Sequence, residues 1–226
     1  MTGISASSAP APPRIGVFGG SFNPIHFGHL LLADDVRETL ALDRVLFVPA
    51  AQPPHKQPAD LAPAPHRFAM TELAVREHPR FEVRDLELRR SGPSYTVDTL
   101  AALRPEGALH LLIGSETFLD LQNWKDPWDV VRLARLVVVP RNDTRFDPES
   151  PAALKVLDEM GLPGFAHVAR GAGAPSEDSE APILVPAASL PISGSDLRRR
   201  AREGRSLAYR MPESVAAYIR EHGLYR

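Results

Sequence analysis

The chain has no cysteine, which excludes disulfides, thiol nucleophiles and cysteine-zinc sites, although it does not by itself locate the protein. No apolar run approaches the length of a membrane span, so no membrane partner is expected. Met1 to Pro13 has neither a basic start nor an apolar segment, and the cytoplasm is the expected compartment. Neither sign of charge prevails: 26 Lys and Arg against 28 Asp and Glu leave a net charge of −2. A nucleic-acid binder would carry a strongly basic footprint, so any nucleotide recognised here is small. The sequence also lacks G-x-G-x-x-G and G-x-x-x-x-G-K-[ST], and with them two common phosphate loops.

What remains is an ordinary globular composition, 43% hydrophobic and 24% charged over 226 residues, with 23 prolines. That length allows one large α/β domain, which we read from residue 14 to 226, behind a Ser-, Ala- and Pro-rich tail at 1–13 that is expected to be disordered. The stretch around which the chain is organised is Gly16 to Leu30. Arg14 to Phe18 reads as a buried strand that Gly19 and Gly20 are expected to break. Pro24 suits the turn that follows, and Leu30 to Leu32, Val36 and Leu40 give the next helix an apolar face. His26 and His29 then fall at the helix start, where unpaired N–H groups and the macrodipole favour phosphate. The same pair, three apart around Phe27 and Gly28, could instead bind zinc, although a zincin spaces its histidines by four with a Glu beside the first.

Arg44 to Pro49 completes a strand-helix-strand unit, so the Gly19 to His29 loop is expected at the carboxyl end of a parallel sheet, where open α/β sheets bind ligands. A proline-bounded loop with His55 and Lys56 leaves the same end. Ala64 to Glu77 reads as a helix and Phe81 to Leu88 as a half-buried strand. Ser94 or Thr96 can cap a helix with Asp98 in its first turn, and unpaired N–H groups there suit a carboxylate. Ala108 to Gly114 and Leu136 to Pro140 are further strands, with Arg141 at the end of the second, either a phosphate contact or a surface charge. Trp124 and Trp128 are the only two tryptophans; Trp128 reads as the core face of a helix. A helix is expected over 149–161, a flexible loop over 170–182, a last strand over Ile183 to Val185 and a closing helix over Glu213 to Arg220. Ser193, Gly194, Ser195 and Arg198 open a helix with more hydroxyls than a cap needs, a second anion site; Arg199 and Arg200 read as solvent-facing.

Gly19-Gly20-Ser21-Phe22-Asn23-Pro24-Ile25-His26-Phe27-Gly28-His29 resembles the G-G-x-F-x-P-x-H-x-G-H signature of the nucleotidylyltransferases, most closely the nicotinate mononucleotide adenylyltransferases. Ser94 to Leu100 is similar to their S-Y-T-x-D-T-L segment and Ile192 to Arg198 to their I-S-x-[ST]-x-[IL]-R motif. The resemblance implies a single-domain, Rossmann-like doubly wound parallel sheet with helices on both faces. It implies that the 5′-phosphate of nicotinate mononucleotide attacks the α-phosphate of ATP, giving nicotinate adenine dinucleotide and pyrophosphate in NAD biosynthesis. His26, His29 and Arg198 would be catalytic. Gly19, Gly20, Ser21, Phe22, Gly28, Ser193, Ser195 and Arg198 would hold ATP and phosphate. Asn23, Lys56, Tyr95, Thr96, Glu116, Trp124 and Arg141 would hold the mononucleotide, with Trp124 stacking on the pyridine ring or, alternatively, packing in the core. Glu116 stands where the family usually has Asp, and Asn23 where Asp is common. Mg²⁺ is expected to arrive with ATP, and no metal site of the chain's own is expected. A homo-oligomer is compatible with the sequence. The rivals are a pantetheine-phosphate-type adenylyltransferase, a non-catalytic nucleotide-binding regulator and a His26/His29 metallohydrolase.

Overall fold

Alternating apolar residues along each strand explain the architecture, because successive side chains of a strand leave opposite faces of a sheet. Val45 and Phe47 enter one buried cluster and Leu46 and Val48 the other; Val137 and Val139 divide likewise from Leu136 and Val138. Both faces therefore need helices. In the computed structural model, which describes residues 11–54, 56–57, 61–140, 146–169, 175–176, 179–188 and 190–226, they have them. The strands are β1 (Arg14–Gly20), β2 (Arg44–Pro49), β3 (Phe81–Val83), β4 (Ala108–Gly114), β5 (Arg135–Val139), β6 (Ala166–His167) and β7 (Ile183–Leu184). They form one parallel sheet in the order β3-β2-β1-β4-β5-β7-β6. The helices α1 (Phe27–Thr39), α2 (Ala64–Val75), α8 (Gly194–Arg202) and α9 (Glu213–Glu221) supply one cluster with Val36, Met70, Leu197 and Ile219. On the other face, α4 (Thr96–Leu103), α5 (Ser115–Leu119), α6 (Pro127–Leu133) and α7 (Pro151–Glu159) supply Leu100, Phe118, Val130 and Val156. The short α3 (Leu86–Arg89) follows β3. The doubly wound sheet expected from the sequence is thus present, and no described helix is long and apolar enough to cross a membrane.

Strand order reverses direction between β1 and β4. Side-by-side parallel strands whose connections run to opposite sides leave a crevice at their carboxyl ends, and Gly19 to His29 and Ser115-Glu116 stand at that point.

Several local expectations are corrected. The double glycine does not end β1, which runs through Gly20; the chain turns at Phe22, whose φ of 42° is left-handed. Phe81 to Leu88 is not one strand. The last ladder bond is Arg84 N–H to the Phe47 carbonyl (2.9 Å), after which Leu86–Arg89 coils and buries Glu87 rather than an apolar side chain. Helix α4 has Tyr95 at its N-cap and no side-chain cap, because the Ser94 hydroxyl accepts the Gln52 N–H instead (3.1 Å). Trp128 is not a core residue: it is 54% exposed, its indole N–H donating to the Glu159 carbonyl (3.1 Å). The Arg200 side chain, folded back onto Asp196, is only 16% exposed. In the 170–182 stretch, Ser176 and Ala181 carbonyls accept from Arg135, while 170–174 and 177–178 lie outside the described residues. So do 1–10 of the proposed tail; Pro13, at its end, accepts the Ala108 N–H (2.8 Å).

Candidate active site

The turn after β1 is built on packing. Phe22 is 2% exposed, its ring edge-on to Phe18 (5.6 Å) and to His29 (5.2 Å), and a Cβ on Gly20 would lie 3.2 Å from that ring. Phe22 therefore meets any ligand only through its main chain. A Cβ on Gly19 would meet nothing within 4 Å, so the backbone there borders open space.

At the start of α1, His26 is the N-cap and His29 the third helical residue, whose side chain folds back onto the His26 main chain. The His26 N–H donates to His29 Nδ1 (3.2 Å), while the main-chain N–H of His29 donates to the His26 carbonyl (2.9 Å). The rings stack with centroids 3.8 Å apart. Gly28 makes this fold-back possible, since a Cβ there would lie 3.0 Å from His26 Nδ1. A neutral imidazole that accepts at one nitrogen carries its proton on the other. His29, accepting at Nδ1, thereby carries its N–H at Nε2, which suits a phosphate oxygen.

Asn23 is 5% exposed and acts as a junction. Its Oδ1 accepts from the Ala62 N–H (3.0 Å) and the Tyr225 hydroxyl (2.9 Å), and its main-chain carbonyl accepts from Arg198 Nη1 (2.9 Å). Burial pushes the Tyr225 phenol well above its ordinary value, so it stays a donor. The start of α8 sits directly on this junction: a Cβ on Gly194 would lie 3.0 Å from the Asn23 carbonyl oxygen and 3.3 Å from Arg198 Nη1. Ser193 is the cap, accepting the Asp196 N–H (3.2 Å), and its Oγ is 3.1 Å from that of the exposed Ser195. Arg199 and Arg200 hold the Asp196 carboxyl below its ordinary value.

The other loops close on the same edge. Lys56 Nζ donates to the Ser21 hydroxyl (2.8 Å), bringing two of the expected contacts together; His55 lies outside the described residues. Gln52 and Ser94 pair through Ser94 N–H to Gln52 O (2.9 Å) and the reciprocal bond to Ser94 Oγ, which ties this loop to the start of α4. Lys125 Nζ lies 4.8 Å from the Tyr95 ring centre and 3.5 Å from Asp98, so the turn that carries Trp124 and Lys125 is tied to the start of α4. Trp124 is half-buried against the second core cluster. Glu116 is exposed in the first turn of α5, and Arg141 lies outside the described residues. Beside the start of α4 Glu87 accepts from Thr99 Oγ1 (2.6 Å); burial holds its carboxyl above the ordinary range against the hydrogen bonds from Thr99 and Ser94.

Sequence reasoning missed Arg67, Tyr225 and the seat at Gly194, all of which depend on long-range pairing. Arg67 alone left a local sign. The buried stripe of α2 is Arg67, Met70, Thr71 and Val75, so a charge stands where helical periodicity calls for an apolar residue.

The starts of α1 and α8 are seated against one another at the switch point of a doubly wound parallel sheet, where folds of this class bind nucleotides. Comparison with known proteins narrows this. Residues 17–200 match the family model described as cytidylyltransferase-like. The chain is 46% identical over 216 residues to a probable nicotinate-nucleotide adenylyltransferase of Thermus thermophilus, covering 94% of this chain and 100% of that protein. It is 42% identical over 222 residues to the one of Roseiflexus sp., covering 97% and 100%. The solved Plasmodium falciparum nicotinic acid mononucleotide adenylyltransferase complexed with NaAD shares the fold, with a TM-score of 0.70 at 18% identity over 94% of this chain and 97% of that one. The chain belongs to the nicotinate-nucleotide adenylyltransferases of the cytidylyltransferase-like family.

Proposed function

We propose that the protein transfers the adenylyl group of ATP to nicotinate mononucleotide, releasing pyrophosphate and forming nicotinate adenine dinucleotide, a step of NAD biosynthesis in the cytoplasm. The observation that carries this reading is the contact between the two anion sites, where Arg198 of α8 donates to the carbonyl of Asn23 in the first loop. A reaction that joins one phosphate to another and expels a third group needs its phosphate sites adjacent.

In the reaction, an oxygen of the mononucleotide phosphate forms the new bond to the α-phosphorus of ATP. The bond to the bridging α–β oxygen breaks, and its electron pair leaves with pyrophosphate. The work left to the chain is to hold the reactants in line and to stabilise charge; well-oriented reactants gain about 7–11 kcal/mol in favourable cases. His26 and His29 donate to the phosphoryl oxygens. The guanidinium of Arg198 has donors besides the one on Asn23, and with Ser193 and Ser195 it grips the departing pyrophosphate. Gly19, Gly20, Ser21 and the main chain of Phe22 line the approach.

The mononucleotide lies along the other loops. Lys56 and Arg141 meet its phosphate, Asn23 keeps the floor of the site in place, and Glu116 is close to the crevice. The uncapped first turn of α4, at Tyr95 and Thr96, offers N–H groups to the nicotinate carboxylate, and Trp124 covers the ring. Among the described residues no three His, Asp or Glu stand close enough to hold an ion by themselves. Mg²⁺ would enter as part of the substrate, bound to the triphosphate whose charge it offsets.

The test is pyrophosphate release with ATP and Mg²⁺, offering nicotinate mononucleotide, nicotinamide mononucleotide and phosphopantetheine in parallel. Preference for the first supports both the reaction and the carboxylate pocket. Turnover with another acceptor alone removes the pocket, and none with any removes the reaction.

A further inference from the structure

Arg67 is 1% exposed, and its four hydrogen bonds all go to main-chain carbonyls. Nε donates to Ala62 (2.8 Å), Nη1 to both Ser21 (2.8 Å) and Ala50 (2.6 Å), and Nη2 to Ala51 (3.0 Å). A buried charge is costly unless hydrogen bonds compensate it, and a core-facing helix position is ordinarily filled by an apolar side chain at no such cost. What the guanidinium adds is connection. Ser21 begins the loop that ends in His26. Ala50 and Ala51 begin the loop that carries Gln52 and Lys56. Ala62 passes the link on, since its N–H holds Asn23 Oδ1.

We propose that Arg67 is a positioning residue for adenylyl transfer: its planar fork sets the spacing between the loop carrying Ser21 and His26 and the loop carrying Lys56, and so the alignment of the two reacting phosphates. The inference rests on the reaction given above. It requires arginine, because an ammonium is a point donor on a flexible stem and cannot address carbonyls on three segments in one plane.

Arg67→Lys keeps the charge and loses the fork. A misplacement of 1 Å costs about 100-fold, so kcat should fall on the order of 100-fold in this variant, with each KM within about threefold. Hydrogen exchange should quicken in peptides covering 19–26 and 50–57 and stay unchanged in β4 and β5. Arg67→Gln leaves no buried charge, guards against a lysine variant that does not fold, and should show the same division. The clamp is refuted by a folded Arg67→Lys or Arg67→Gln protein with kcat near the parent's, or by exchange that rises throughout the sheet in step with lost folded protein. If the parent itself does not turn over, the reaction is wrong and the clamp stands or falls on exchange alone.

Discussion

Replacing His29 by alanine removes two things that the structure allows to be separated. One is the Nε2–H donor, set by the bond from His26 N–H to His29 Nδ1. Loss of one preorganised donor to a developing oxyanion costs about 10²–10³ in kcat. The other is half of the cap of α1. Losing a cap costs about 0.5–2 kcal/mol, and for a chain of this size each 1 kcal/mol lowers the unfolding midpoint by about 2–4 °C. His29→Ala should therefore show both the rate loss and a midpoint lower by several degrees. His29→Gln distinguishes them: glutamine is a usual partner at the third helical position of a capping box, so it restores the acceptor for His26 N–H without restoring the imidazole donor. The midpoint should return towards the parent while kcat stays low. The assay is pyrophosphate release at saturating ATP and nicotinate mononucleotide, beside a thermal melt. Full activity in folded His29→Gln would refute the catalytic assignment and leave His29 a cap.

Other sites give further expectations. Gly194→Ala places a Cβ 3.0 Å from the Asn23 carbonyl oxygen and pushes α8 outward by a few tenths of an ångström. At about 100-fold per ångström, kcat/KM for ATP should fall roughly 4- to 10-fold, and an unchanged value would sink the link between the two anion sites. Trp124→Ala should raise KM for the mononucleotide roughly 2- to 13-fold, from a ring contact of about 0.5–1.5 kcal/mol, with kcat held; an unchanged KM returns Trp124 to the core. Glu87 has its folded-state pKa raised by burial, so the folded state binds the proton more tightly, and stability is complete below the ordinary value of 4.5 and declines as pH rises above it. Glu87→Gln removes this decline, and urea unfolding at acid and neutral pH should show the variant gaining on the parent at the higher value; equal slopes would refute it.

The parts of the fold that were legible in the sequence are those decided by local pattern. Apolar runs such as Val45–Val48 and Leu136–Val139 needed cover on both faces, and the helices between them implied parallel pairing. The two-residue β6 carries too little pattern to read, whereas the apolar Ile183 to Val185 was legible and β7 forms there, at Ile183–Leu184, on the edge that β5 offers it. Phe81 to Leu88 misled for a related reason. Alternation over eight residues fits a strand, but burial of Glu87 against Thr99 rewards a helical turn instead.

The candidate site divides along the same line. A helix start attracts anions through its own N–H groups, so the histidines of α1 and the serines and arginine of α8 announced themselves without knowledge of the fold. The connection between them did not. Arg198 reaches Asn23 across 175 residues and Tyr225 reaches it across 202, and no short-range pattern encodes such a pairing. On the reaction proposed above, the pairing would join two phosphate sites into one reacting site. Each helix start alone would hold a phosphate at whatever distance the fold happened to leave. With the Asn23 main chain gripped by Arg198, its side chain by Tyr225 and Ala62, and Ser21 beside it by Arg67, the first loop has little freedom to drift from α8. For a reaction whose barrier is lowered by alignment rather than by a protein nucleophile, that restraint belongs to the catalytic apparatus as much as the groups that touch phosphate.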